Sequence, residues 1–95
     1  MTLEQIDFFL MAVRCDTFLE AAENLHIAQS TLSKQIQKLE TELNLPLFDR
    51  TRRQAVLTPA GELFLQEAAE LSLQYHQMLQ KMHHFQETTV SVAVA

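Results

Sequence analysis

Residues 17–61 read TFLEAAENLHIAQSTLSKQIQKLETELNLPLFDRTRRQAVLTPAG, and the order of two helical patterns, a tight turn and a basic hairpin in this stretch decides the fold. Thr17-x-x-Glu20 is a capping box, in which the Thr17 hydroxyl can accept the backbone N–H of Glu20 while the Glu20 carboxylate reaches back to Thr17. A helix is predicted from Phe18. Its apolar members Phe18, Ala21, Ala22 and Leu25 lie three and four apart, so one face is buried and the two alanines let another helix approach closely. Leu25 to Ala28 reads as a turn. Leu32, Ile36, Leu39 and Leu43 then form a single inward stripe on a second helix, from about Gln29 to Leu43.

The other side of that second helix bears on function. At roughly 100° per residue, Gln29, Ser30, Ser33, Lys34 and Gln37 fan out over one arc that avoids the leucines and carries no acid, and Thr31 joins them in the first turn. Amide side chains pair bidentately with adenine, hydroxyls donate or accept, and lysine reaches guanine or phosphate. Taken alone, such an arc also describes an ordinary solvated helix face. The segment that follows tips the balance, because Leu47-Phe48 and Ala55-Val56-Leu57-Thr58 are strand-like runs flanking the basic tip Asp49-Arg50-Thr51-Arg52-Arg53-Gln54. This predicts a two-stranded β-hairpin wing carrying Arg50, Arg52 and Arg53. Arg52 or Arg53 would sit at the minor groove, where narrow A·T-rich stretches concentrate negative potential. No Asn-Gly or Asp-Gly turn marks the hairpin.

Overall charge argues against nucleic acid, since 7 Lys and Arg stand against 12 Asp and Glu, a formal net of -5. Its distribution reverses that argument. Within residues 28–60, Lys34, Lys38, Arg50, Arg52 and Arg53 outnumber Glu40, Glu42 and Asp49, so the positive charge sits at the proposed reading surface while both flanks are acidic. Glu40 and Glu42 would have to point away from a duplex, because phosphate affinity depends on local cation placement.

The pattern Ala21-Ala22-Glu23-x-Leu25, Gln29-Ser30-x-x-Ser33-x-x-Ile36-x-x-Leu39-Glu40-x-x-Leu43, Leu47-Phe48-x-Arg50-x-x-Arg53 and Leu57-Thr58-x-Ala60-Gly61 resembles the N-terminal DNA-binding domain of the LysR-type transcriptional regulators over roughly Thr2 to Gln86. The resemblance implies a bacterial transcription regulator with a mainly α, winged helix-turn-helix fold. It implies that Gln29, Ser30, Ser33 and Lys34 meet bases or phosphates in the major groove, and that Arg53 works from the wing. Two positions depart from the family pattern: Ala28 stands where a capping serine is common, and Arg52 where a glycine is common at the wing tip. Alanine is a poor N-cap, which would shift the start of the helix toward Ser30.

Upstream, Thr2-x-x-Gln5 is another capping box, Met1 and Ile6 are placed as a hydrophobic staple, and Leu3, Ile6, Leu10 and Val13 form the stripe of a first helix. Phe8, Phe9 and Met11 widen its apolar surface, so it must be covered from two directions. Downstream, Thr58 is a suitable N-cap with Pro59 at the first helical position. From there Phe64, Ala68, Leu71, Tyr75, Met78, Met82 and Phe85 repeat at alternating spacings of 4 and 3, a three-heptad seam. A helix of nearly 30 residues extends roughly 45 Å, too far for a small core to cover, which predicts pairing with a second copy. The resemblance implies an antiparallel pair of these linker helices. Two-fold related reading helices select an inverted repeat.

The chain thus divides into a winged helix-turn-helix over 1–58, a linker or dimerisation helix over 59–87, and a tail over 88–95. In the tail Val90, Val92 and Val94 alternate with Ser91, Ala93 and Ala95, a strand pattern. The resemblance implies that this is the first strand of an absent C-terminal domain through which a small effector would act; a higher oligomer is possible in a full-length protein. No apolar run approaches the ~20 residues of a membrane span, Glu4 and Asp7 spoil any signal peptide, and the single Cys15 fits a reducing cytoplasm. Catalysis has little support: Cys15 has no nearby His in sequence, and His83-His84 lack the spacing of four that would bring two metal ligands together. No enzyme, cofactor or metal is expected. The rival reading is a helical protein-protein interaction or dimerisation module that binds no nucleic acid.

Overall fold

A computed structural model describes residues 1–52 and 54–94, with side chains through Thr88. Helix α1 (Leu3–Arg14) starts at the foreseen capping box, in which Thr2 Oγ1 accepts the Gln5 N–H at 3.1 Å and Gln5 Oε1 accepts the Thr2 N–H at 3.2 Å. Helix α2 (Phe18–Leu25) starts at Thr17, whose hydroxyl oxygen accepts the Glu20 N–H at 3.1 Å, one half of the second box. Helix α3 (Gln29–Leu43) begins one residue earlier than alanine capping would favour, since Ala28 takes the extended N-cap conformation without any side-chain cap. Its carbonyl still accepts the N–H groups of Thr31 and Leu32.

Both α2 and α3 end on a left-handed residue, His26 at φ 59° and Asn44 at φ 56°, types that tolerate this region better than most. In each case a backbone bond closes over the last turn: Ile27 N–H to Ala22 carbonyl, and Leu45 N–H to Glu40 carbonyl. Those reversals set α2 and α3 as a helix-turn-helix. Its alanine and leucine faces meet, with Ala21, Ala22, Leu32, Ile36 and Leu39 essentially inaccessible to water.

Helix α1 is the hub. It packs against α2 and α3 on one side and against helix α4 (Pro59–Val94) on the other, the two-sided cover its apolar surface demanded. Phe9, fully buried, holds the junction: its ring lies 5.5 Å from Phe48 and 4.8 Å from Phe64, the latter edge-on. Phe48 also meets Phe18 of α2 edge-on at 5.1 Å.

Three details differ from the pattern read in the sequence. The two-stranded wing is reduced, among the described residues, to one antiparallel bridge between Phe48 and Leu57, flanked by Asp49 N–H to Val56 carbonyl and Thr58 N–H to Leu47 carbonyl. The ladder stops there because its next groups are spent elsewhere. Ala55 N–H goes to the Asp16 carbonyl, the Gln54 carbonyl accepts Val56 N–H, and the Asp49 carboxylate accepts Thr51 N–H. Second, the tail is helical here: α4 continues through residues 88–94, and its backbone is satisfied within the helix. Third, the seam does not run whole along a free face. Phe64 and Ala68 belong to the domain's own core, whereas Leu71, Met78, Met82 and Phe85 are 45%, 51%, 57% and 63% exposed.

Candidate nucleic-acid interface

The α3 leucine stripe turns its opposite face outward. Gln29, Ser30, Thr31, Lys34 and Gln37 are exposed and Ser33 is half-buried, so the reading arc stands at the surface while Leu32, Ile36 and Leu39 anchor it from below. A hydrogen bond of 3.1 Å from Gln5 Nε2 to Gln35 Oε1 fixes the flank of α3 to α1. The first turn of α3 carries no acid and no side-chain cap, leaving its positive dipole end unneutralised.

Beyond the first turns of the helix, Ser33, Gln37, Glu40, Thr41 and Arg50 line an open groove together with Asn44, Leu45 and Pro46. Glu40 shares this groove with Ser33 and Gln37, but its carboxylate turns to the segment after α3. Its side chain is only 13% exposed and binds three donors: the Leu47 N–H at 2.7 Å, the Phe48 N–H at 3.2 Å and Arg50 Nη2 at 2.6 Å. Glu42 does leave the arc, pairing with the Met1 ammonium at 2.7 Å.

Of the wing arginines, Arg50 is held by Glu40, and its guanidinium lies 5.3 Å above the Phe18 ring. Arg52 is 67% exposed beside Asp49, at 3.6 Å. Arg53 lies outside the described residues. Asp49 is kept ionised below its ordinary range by the Thr51 hydroxyl first and then by the Thr51 N–H. Partial desolvation opposes them, and the charge of Arg52 adds to the lowering. All three acids of the basic segment are thus paired, which leaves Lys34 and Lys38 as exposed cations on α3.

The family model described as "Bacterial regulatory helix-turn-helix protein, lysR family" matches residues 3–62. The chain belongs to that family. One relative, the "Probable RuBisCO transcriptional regulator" of Cyanidioschyzon merolae, is 38% identical over 97 residues, covering 99% of this chain and 32% of its own length. The "Probable cat1 operon transcriptional activator" of Acinetobacter lwoffii is 42% identical over 78 residues, 82% of this chain and 26% of the relative. Among solved structures, BenM_DBD in complex with catB site 1 DNA superposes with a TM-score of 0.90 at 36% identity, covering 93% of this chain and 95% of that one. The chain spans about a third or less of the length of the curated relatives named.

Glu40 is the residue whose place the sequence reading missed. The signal was present: Ser33, Gln37 and Glu40 are spaced at 4 and 3 and so share one helix face, and an arginine follows ten residues later. No helix is long and apolar enough to cross a membrane among the described residues.

Proposed function

We propose that this chain is the sequence-reading unit of a LysR-type transcription regulator, which binds an inverted-repeat duplex as a dimer. One observation carries the reading: the acid-free arc Gln29–Gln37 lies at the surface of a helix whose opposite stripe is fully buried. In this reading α3 enters the major groove, with Gln29, Ser30, Thr31, Ser33, Lys34 and Gln37 meeting base edges and phosphates. The loop between Asp49 and Gln54 carries Arg52 and Arg53 to the minor groove. The α4 surface from Leu71 to Phe85 pairs two copies and sets the separation of their reading helices. Work in the cytoplasm, a small-molecule effector acting through a domain beyond these residues, and regulation without catalysis complete the proposal. It is supported by the family match, by the curated regulators and by the protein–DNA complex.

Duplexes selected from a random pool test specificity, symmetry and half-site spacing together. Enrichment of a two-fold related sequence is expected, with affinity falling at rising salt with a log-log slope of several units. Ser33→Ala and Gln29→Ala should relax base preference, and Arg53→Ala should weaken binding evenly across sequences. No binding even at low salt would instead leave a helical interaction module built on α4.

A further inference from the structure

The groove beside the reading arc contains an acid, which a DNA-facing surface should exclude. Glu40 lies on the same helix face as Ser33 and Gln37, yet its carboxylate is largely withdrawn from water and every contact it makes points toward the segment after α3. One oxygen accepts the N–H groups of Leu47 and Phe48, and the other accepts Arg50. Leu47 and Phe48 are themselves buried and lead into the bridge to Leu57 from which the basic loop departs. A carboxylate accepting several charge-assisted bonds in a desolvated site is a strong positional constraint, and removing one partner of such a set costs more than the pair contributes.

We infer that Glu40 is a positioning residue that fixes the basic loop relative to the recognition helix, and that Arg50 serves this joint by masking the Glu40 charge and is no direct contact to DNA. This deepens the DNA-binding reading and rests on it. Arg50 is placed for that purpose: it is engaged on one side by the carboxylate and rests on the other over Phe18 of α2. Its Nη2 is spent on Glu40 and one face of its guanidinium is covered by Phe18, which holds the group at the joint. Loss of Arg50 would expose an unpaired carboxylate beside Ser33 and Gln37. Loss of the Glu40 charge would untie the loop while making the surface more positive, so non-specific affinity should rise as specific affinity falls.

The test compares wild type, Glu40→Gln, Arg50→Ala, Arg50→Lys and the double variant E40Q/R50A. Each is titrated over a salt series with the duplex selected by wild type and with a scrambled duplex of equal length, after its helical circular dichroism has been checked. Glu40→Gln and Arg50→Ala are each expected to lower the ratio of specific to scrambled affinity by about tenfold. The double variant should be no worse than either single one, and Arg50→Lys should restore most of the ratio. The salt slope of Arg50→Ala on the selected duplex should stay within about half a unit of wild type. A slope reduced by about one unit, with losses that add in the double variant, would make Arg50 an independent phosphate contact and overturn the inference. Should Glu40→Gln fail to fold, the slope and ratio of Arg50→Ala decide alone. Failure of wild type to prefer any duplex would instead sink the DNA-binding reading itself.

Discussion

The Phe64 ring stands edge-on against Phe9 at 4.8 Å, and this contact roots the long C-terminal helix in the core of the reading head. Phe9 is fully buried and also touches Phe48, so one side chain joins α1, α4 and the segment leading to the basic loop. Truncation by Phe9→Ala should cost about 3–5 kcal/mol, read from urea unfolding, because the cavity adjoins three elements that cannot all collapse into it. A cost below about 1 kcal/mol would show that the aromatic junction does not hold the domain together.

Ala28 is the one N-cap of the first three helices without a side-chain bond. Its extended backbone already has the conformation a capping hydroxyl needs. Ala28→Ser should therefore stabilise the fold by about 1 kcal/mol, and Thr17→Ala should destabilise it by a similar amount. Opposite shifts in thermal midpoint for the two variants are the expected outcome.

Gly61 meets the segment before the bridge. A Cβ at this position would collide with the Leu47 carbonyl oxygen and come within 2.9 Å of Leu57 Cδ2. Because the obstructing atom is backbone, Gly61→Ala should cost about 1–3 kcal/mol despite the better helix propensity of alanine. Denaturant midpoints would show it, and a stabilised variant would contradict the packing described.

The exposed stretch of α4 leads to an association test. Leu71 lies just past the point where α4 leaves its own core and is 45% exposed. Leu71→Asp should give monomers in sedimentation while preserving the helical signal, since the side chain is not needed inside one copy. A variant that still dimerised would move the interface off this face.

Asp49 gives a pH signature. Its folded-state pKa lies below the ordinary value of 3.8, mainly through the Thr51 hydroxyl, so its contribution is present above that value and is lost as pH falls through the folded pKa. An NMR titration should find the Asp49 carboxyl inflecting below 3.8, and Thr51→Ala should move the inflection upward. An unmoved inflection would show that the hydroxyl bond does not form in solution.

How much of this could be read from residues alone follows from where each signal lives. The four helices were legible because caps and apolar spacing are local: Thr2 and Gln5, Thr17, and Thr58 before Pro59 mark the starts, and Leu32, Ile36 and Leu39 fix which side of α3 faces out. The loop after α3 was not, because its register depends on distant partners. The Ala55 N–H is taken by Asp16, and Leu47 and Phe48 are tied to Glu40. The start of the exposed stretch of α4 was hidden for a different reason. A 4-3 repeat runs unbroken from Phe64 to Phe85 and carries no mark of where the chain's own core ends. The alternating valines of the tail satisfy a strand pattern, yet a strand needs a neighbour and a helix does not.

The length of α4 has a mechanical consequence. The described molecule measures 62 × 26 × 20 Å, and its long dimension belongs to a 36-residue rod gripped by the core at one end only. A rod gripped in this way acts as a tiller: a modest sideways push on its far end becomes a rotation of the gripped end. Because α1 packs against both α4 and α3, the axis of that rod and the heading of α3 are tied to one another through a single helix.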